Sequence, residues 1–216
     1  TITLKDSGAI DLGLSTISGN LNITASGQIS DSGILNVSGN TTLAAGSGND
    51  ITLDEANNFN GSVSVPSGRN VTLNDRNAIV LGTSTISGNL ALTANGTITD
   101  VGVIDVAGTT TLTAGPSNDI TLDSASDFGG AVSVVSGRNV TLQDTGAIDL
   151  GGSTISGNLN ITASGQVSDS GILNVSGNTT VAAGSGNDIT LDEANNFGGS
   201  SGVGVTSGRN VTLNDR

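Results

Sequence analysis

The chain has 216 residues, a net charge of −13 from 19 acidic and six basic side chains, and no Cys, His, Met, Trp or Tyr. That balance leaves no basic patch for nucleic acid or anionic membranes. Without His or Cys most nucleophile–base pairs are absent, so no enzyme is expected. With three Phe as its only aromatics, any core must be thin and filled by Val, Ile, Leu and Ala.

The first elements already belong to a repeat. Thr1-Ile2-Thr3-Leu4 is the same element as Asn70-Val71-Thr72-Leu73, and Asp215-Arg216 breaks off where Asp75-Arg76 continues. The chain therefore reads as a segment of a longer protein, with residues 1–18 closing a preceding unit. No signal peptide opens it, and no apolar run approaches the ~20 residues of a transmembrane helix. The absence of Cys fits an extracellular bacterial protein.

A 69-residue unit then recurs, Ser18-Gly19-Asn20 returning as Ser87-Gly88-Asn89 and Ser156-Gly157-Asn158. Units at about 19–87, 88–156 and 157–216, the last incomplete, form one continuous segment over 1–216. Such self-similarity predicts a solenoid.

Within the first unit, Ser-Gly steps mark pieces Gly19–Ser38, Gly39–Ser67 and Gly68–Ser87, of 20, 29 and 20 residues. Each opens on Asn followed by alternating residues, as in Asn20-Leu21-Asn22-Ile23. Period-two alternation predicts short strands at Leu21–Ile23, around Ile29, at Leu35–Val37, Val71–Leu73, Ile79–Leu81 and Thr85–Ile86. Turns fall at Ser26-Gly27, Ser32-Gly33, Asn74-Asp75 and Gly82.

Three strands and three turns make one triangular coil of about 20 residues, with three coils per unit. Nine coils and a fragment, at the ~4.8 Å strand spacing, would span roughly 45 Å. The expected inward set is Val71, Leu73, Ile79, Leu81 and Ile86, their repeats Val140, Leu142, Ile148, Leu150 and Ile155, and Ile51, Leu53, Val63 and Val65 in the middle coil. Thr52, Ser64 and Thr72 face out. The fold class is all-β, a parallel β-solenoid with only its inner face dry.

The middle piece carries about nine extra residues, read as a surface loop near Asp54–Gly61. Phe59, Phe128 and Phe197 sit there once per unit, either pinning the loop to the coil's flank or docking a neighbouring chain. Asn20, Asn40, Asn70, Asn89, Asn139, Asn158, Asn178 and Asn210 open coils, and their amides are candidates for an internal ladder at a corner. Thr109 interrupts the series.

Ala45-Gly46-Ser47-Gly48-Asn49-Asp50-Ile51-Thr52-Leu53 is similar to a calcium-binding nonapeptide, but occurs once per unit where such sites need tandem turns. Asp50, Asp54, Asp188 and Asp192 are thus weak calcium candidates beside a plain strand-entry turn. With Glu55 and Glu193 they equally make a solvated acidic face. No other cofactor is expected. Gly129-Gly130 lacks the Lys-Ser/Thr and helix of a phosphate loop. Outward Asn22, Thr42 and Thr72, then Thr24, Ala44 and Asn74, are too irregular for an ice-binding array. Disorder is set aside by the regular aliphatic alternation.

Asn-Asp-Ile-Thr-Leu-Asp (49–54, 118–123, 187–192), Phe-Gly-Gly (128–130, 197–199), Ser-Gly-Arg-Asn-Val-Thr-Leu (67–73, 136–142, 207–213) and Ser-Thr-Ile-Ser-Gly-Asn-Leu (15–21, 84–90, 153–159) recur together. Over the whole chain they resemble the repeat shafts of filamentous-haemagglutinin-like exoproteins of Gram-negative bacteria. The resemblance implies a right-handed parallel β-helix, two-partner secretion, and a shaft in a surface fibre or adhesin. The family's amino-terminal secretion domain and tip are not in this sequence. Self-association is the expected partnership, with end-to-end or lateral filaments open, and no membrane insertion in this segment. The alternative is a solenoid module binding host or surface glycans.

Overall fold

The strands follow from alternation. In Val71–Asp75 the side chains of Val71 and Leu73 are buried, while Thr72 and Asn74 lie on the outer surface. Each such aliphatic side chain contributes about 1.5–3 kcal/mol when fully removed from water. A computed structural model describes residues 1–200 and 202–216. Among these residues it has 28 strands and no helix, so none long and apolar enough to cross a membrane.

All strand pairs are parallel, each strand bonding to a neighbouring coil, and those inside the stack mostly to the coil before and the coil after. Ile2, Leu21, Thr41 and Val63 are successive partners in one stack. The protein is an all-β parallel solenoid with two principal sheets, of 13 and 15 strands. The whole expected inward set is buried in a single aliphatic core. Ile79–Leu81 and Leu35–Val37 form as expected, and Leu21–Ala25 and Val71–Asp75 run two residues further.

The three coils read from each unit are present, and the pairing adds half a coil. The 29-residue middle piece is the cause. Val63 already lies on Thr41, so a full coil is complete 22 residues later. Ser62–Ser67 then begins another coil, which Ile79–Leu81 covers through Val80 on Ser62 and Leu81 on Val63. From Leu21–Ala25 to Leu159–Ala163, two units apart, the 13-stranded sheet takes seven steps, or three and a half per unit. Equivalent strands consequently alternate: Leu21–Ala25 and Leu159–Ala163 lie in that sheet, and Leu90–Ala94 in the other. The expected nine coils become 11 along the sheet path, about 50 Å at the same spacing.

Each coil has one long side and a split side of two short strands. In the second coil, Leu21–Ala25 is long, and Ile29–Asp31 with Leu35–Val37 make the split side. After three and a half coils the roles exchange. The 13-stranded sheet has a long block (Ile2–Asp6, Leu21–Ala25, Thr41–Ala44, Ser62–Ser67), then three split coils, then a second long block from Val140–Asp144 to Val203–Ser207. The other sheet is long where this one is split, through Val71–Asp75, Leu90–Ala94, Thr110–Thr113 and Val132–Ser136.

The expected surface loop is mostly strand. Ile51–Phe59 runs unbroken around a corner: Ile51 and Thr52 pair with Ile29 and Ser30, and Asn58 and Phe59 with Asn36 and Val37. Only Asp54, Glu55 and Ala56 bulge outward, and the next coil skips them, with Leu73 on Leu53 and Asp75 on Asn57. The lengthened stretch between Phe197 and Ser207 includes Ser201, which lies outside the described residues.

Candidate functional site

The Phe expected as docking points are core residues. Phe59, Phe128 and Phe197 are 2%, 1% and 5% exposed. Two residues beyond buried Asn57, Phe59 has inward parity, and its side chain joins the aliphatic core. All three are core residues of a strand rather than pins of a surface loop, and their burial leaves the rings no lateral contact.

The asparagines do form ladders, of another kind. Asn70 Oδ1 accepts the Asn89 N–H at 3.1 Å, and Asn89 Oδ1 accepts the Thr109 N–H at 2.9 Å. Asn20 serves Asn40 in the same way, and Asn40 serves Ser62. Asn139 serves Asn158, and Asn158 serves Asn178. The bonds run from side chain to backbone, not amide to amide, and the asparagines lie at exposed or half-buried corners rather than inside. Thr109 ends a run because it needs only to donate its N–H. Except before Asn70, Asn139 and Asn210, which follow an Arg, a glycine precedes the ladder residue and makes room: a Cβ on Gly88 would come 2.5 Å from Asn70 Oδ1 and 2.9 Å from the Arg69 carbonyl.

An aspartate replaces asparagine at the foot of three runs. Asp50 Oδ1 accepts the Asn70 N–H at 3.1 Å and Asn70 Nδ2 at 3.0 Å. Arg69 grips the same carboxylate with Nε and Nη2, both at 2.8 Å. Arg138–Asp119–Asn139 and Arg209–Asp188–Asn210 repeat the arrangement. The Arg69 hydrogen bond holds the Asp50 carboxyl at about 2, and Arg209 holds Asp188 at about 2. Asp119 is lowered by Arg138 in the same direction.

The geometry does not gather the calcium candidates into one site. The oxygens of Asp50 and Asp188 are spent on Arg and Asn, while Asp54 and Asp192 lie on the outward bulge. Among the described residues no three acidic side chains converge as metal ligands do. The nonapeptide is instead an axial staple. Gly46 turns the chain at φ +83°, Asn49 Nδ2 donates to the Ala45 carbonyl at 2.8 Å, and the Ser47 carbonyl accepts from Ser87 Oγ, 40 residues on, at 2.7 Å. Ser156 makes the same bond to the Pro116 carbonyl. Only a carbonyl is used there, so Pro is tolerated.

A polar seam inside the bend went unread in the sequence. Asn57, fully buried, donates Nδ2 to Asp31 at 2.6 Å and accepts the Leu35 N–H at 2.7 Å. Asp75, 1% exposed, accepts the Phe59 N–H at 2.9 Å and the Asn77 N–H at 2.8 Å. Burial raises the carboxyls of Asp31, Asp75, Asp100 and Asp144 above their ordinary value. The available signal was parity: Asp75 follows Val71 and Leu73 at the inward spacing. Thr41, Thr110 and Thr179 share that parity, and their buried hydroxyls have no partner.

No curated protein and no solved structure matches the chain. A family model described as repeats of unknown function (DUF5649) matches residues 1–66, 68–135 and 137–204. Its three frames keep the period of the Ser-Gly steps and cover nearly every coil described above. The chain belongs to this repeat family, as three tandem copies folded into one continuous β-solenoid.

Proposed function

We propose that this chain is a length of structural shaft in a secreted or surface-anchored bacterial fibre or adhesin, similar to the filamentous-haemagglutinin-like exoproteins. It stands at the cell surface, exported by a two-partner route, and supplies reach rather than chemistry. It is no enzyme and needs no cofactor. One observation carries the reading: a single aliphatic core and unbroken parallel ladders continue through 11 coils. Inter-coil backbone bonds run along the axis, as from Leu21 to Asn40 and from Val71 to Asn89. Coil number then sets length, at ~4.8 Å per coil. The acidic balance keeps such a rod soluble.

Electron microscopy of the native full-length protein tests this. The expected result is a surface fibre containing a solenoid ~2–4 nm wide, the cross-section of one coil with side chains. Compact particles, or antibody labelling confined to the cell interior, would overturn the reading.

A further inference from the structure

Charge is sorted around the coil. None of the 19 acidic residues projects outward from a long side. The middle long block presents Thr72, Asn74, Ala91, Thr93, Thr111 and Thr113. The third presents Thr141, Gln143, Asn160, Thr162, Thr180 and Ala182. Lys5 is the one charge that the first block turns outward. The acids occupy corners, inward strand ends and split sides, where Asp105 stacks on Asp127 and Asp54 and Glu55 bulge out. In a chain of net charge −13, the long sides are where two like-charged copies approach without facing carboxylates.

We propose that the long sides are lateral docking surfaces for a second copy of this chain, packed sheet face to sheet face. Threonine methyls supply apolar contact, and the hydroxyl and amide groups supply hydrogen bonds. A block of four strands about five residues long covers only ~300 Å² at standard strand dimensions. A stable pair needs about 800 Å² per partner. One block is therefore too small to hold, and association must build up over many blocks by multivalency. Successive long blocks fall on opposite sides of the rod, ~17 Å apart along the axis, and recur on one side every ~34 Å. Each copy can thus hold neighbours on both flanks, giving a flat ply of solenoids. The inference extends the shaft reading without depending on export or adhesion.

The test is sedimentation of this 216-residue chain up to about 1 mM, a range suited to contacts below the stable size. The variants are Thr111→Glu with Thr162→Glu on long sides, and Asn36→Glu with Asn174→Glu on split sides. All are outward positions, and β-type circular dichroism with an unchanged melt establishes that each folds. The expected result is weak, reversible self-association that falls at least tenfold in the long-side variant and much less in the split-side one. A wild type that stays monomeric at the top concentration overturns the proposal. So does association that survives the long-side charges, which is end-to-end stacking, or an equal loss in both variants, which is general repulsion. A monomer that captures polysaccharide through these threonines assigns the surface to glycans and overturns it as well.

Discussion

Two polar systems tie coil to coil, one buried and one wet. The seam of Asp31, Asn57 and Asp75 lies within the bend, and the ladder of Asp50, Asn70 and Asn89 lies along an outer corner. Both bond a side-chain oxygen to a backbone N–H of an adjacent coil. The difference is what replaces a lost bond. Water reaches the ladder, so each step is worth little alone and the row is tolerant, as Thr109 demonstrates. Asn57 and Asp75 are shut off from water, so the backbone N–H groups they serve must keep an acceptor, which Ser126 supplies to Ile104 where the second copy lacks the Asn. The seam enforces the half-coil bend, and the ladder trims the register of coils already made.

The sharpest way to break this contrast is Asn57→Ala. It strands the buried Leu35 N–H and removes the donor to Asp31, so chemical denaturation should register a loss of about 3 kcal/mol. Gly88→Ala comes next, because its Cβ meets the Arg69 carbonyl and the Asn70 side chain, for a loss of about 2 kcal/mol. Thr41→Val sharpens the comparison from the other side. Its buried hydroxyl has no partner, so the isosteric methyl should raise stability by about 1 kcal/mol. Asn89→Ala should cost about 0.5 kcal/mol, since water replaces the lost acceptor. Equal losses from Asn89→Ala and Asn57→Ala would erase the distinction between the two systems.

Acidity separates them too, by the smallest effect. Seam carboxyls are raised by burial, so their contribution is full below the ordinary Asp value of about 4 and is lost as pH climbs through the raised values. Ladder carboxyls are held at about 2, so their contribution is present above about pH 4 and lost as pH falls toward 2. The melting temperature should peak in mild acid. Arg69→Gln should steepen nothing above the peak but flatten the acid limb, and Asp75→Asn should flatten the other limb.

Much of this was legible in the sequence. Alternation placed Val71, Leu73, Ile79 and Leu81 inward without error, because parity is a property of the strand itself. The half coil was not, since the length of the Gly39–Ser67 piece does not say how many corners it turns. Phe59 was misplaced for a related reason: the polar run Asp54–Asn58 resembles a loop, although Asn57 and Phe59 keep inward parity beyond the bulge. The partners of Asp50 stayed hidden because Arg69 lies 19 residues on, one coil away, at a distance only the register reveals. The ladder corner was readable from Ser-Gly-Asn; its bonding mode was not, because an Asn amide can serve either a neighbouring amide or a neighbouring backbone.

The extra half coil bears on how such a gene can grow. Losing or gaining a single unit swivels everything downstream onto the opposite flank. Losing or gaining a pair only shortens or lengthens the rod. The copies lying two units apart are the near-identical ones: residues 3–61 and 141–199 differ at six positions, while the inverted copy between them has diverged. Recombination between the matching copies exchanges 138 residues, seven whole coils, and leaves every later residue facing the way it did before.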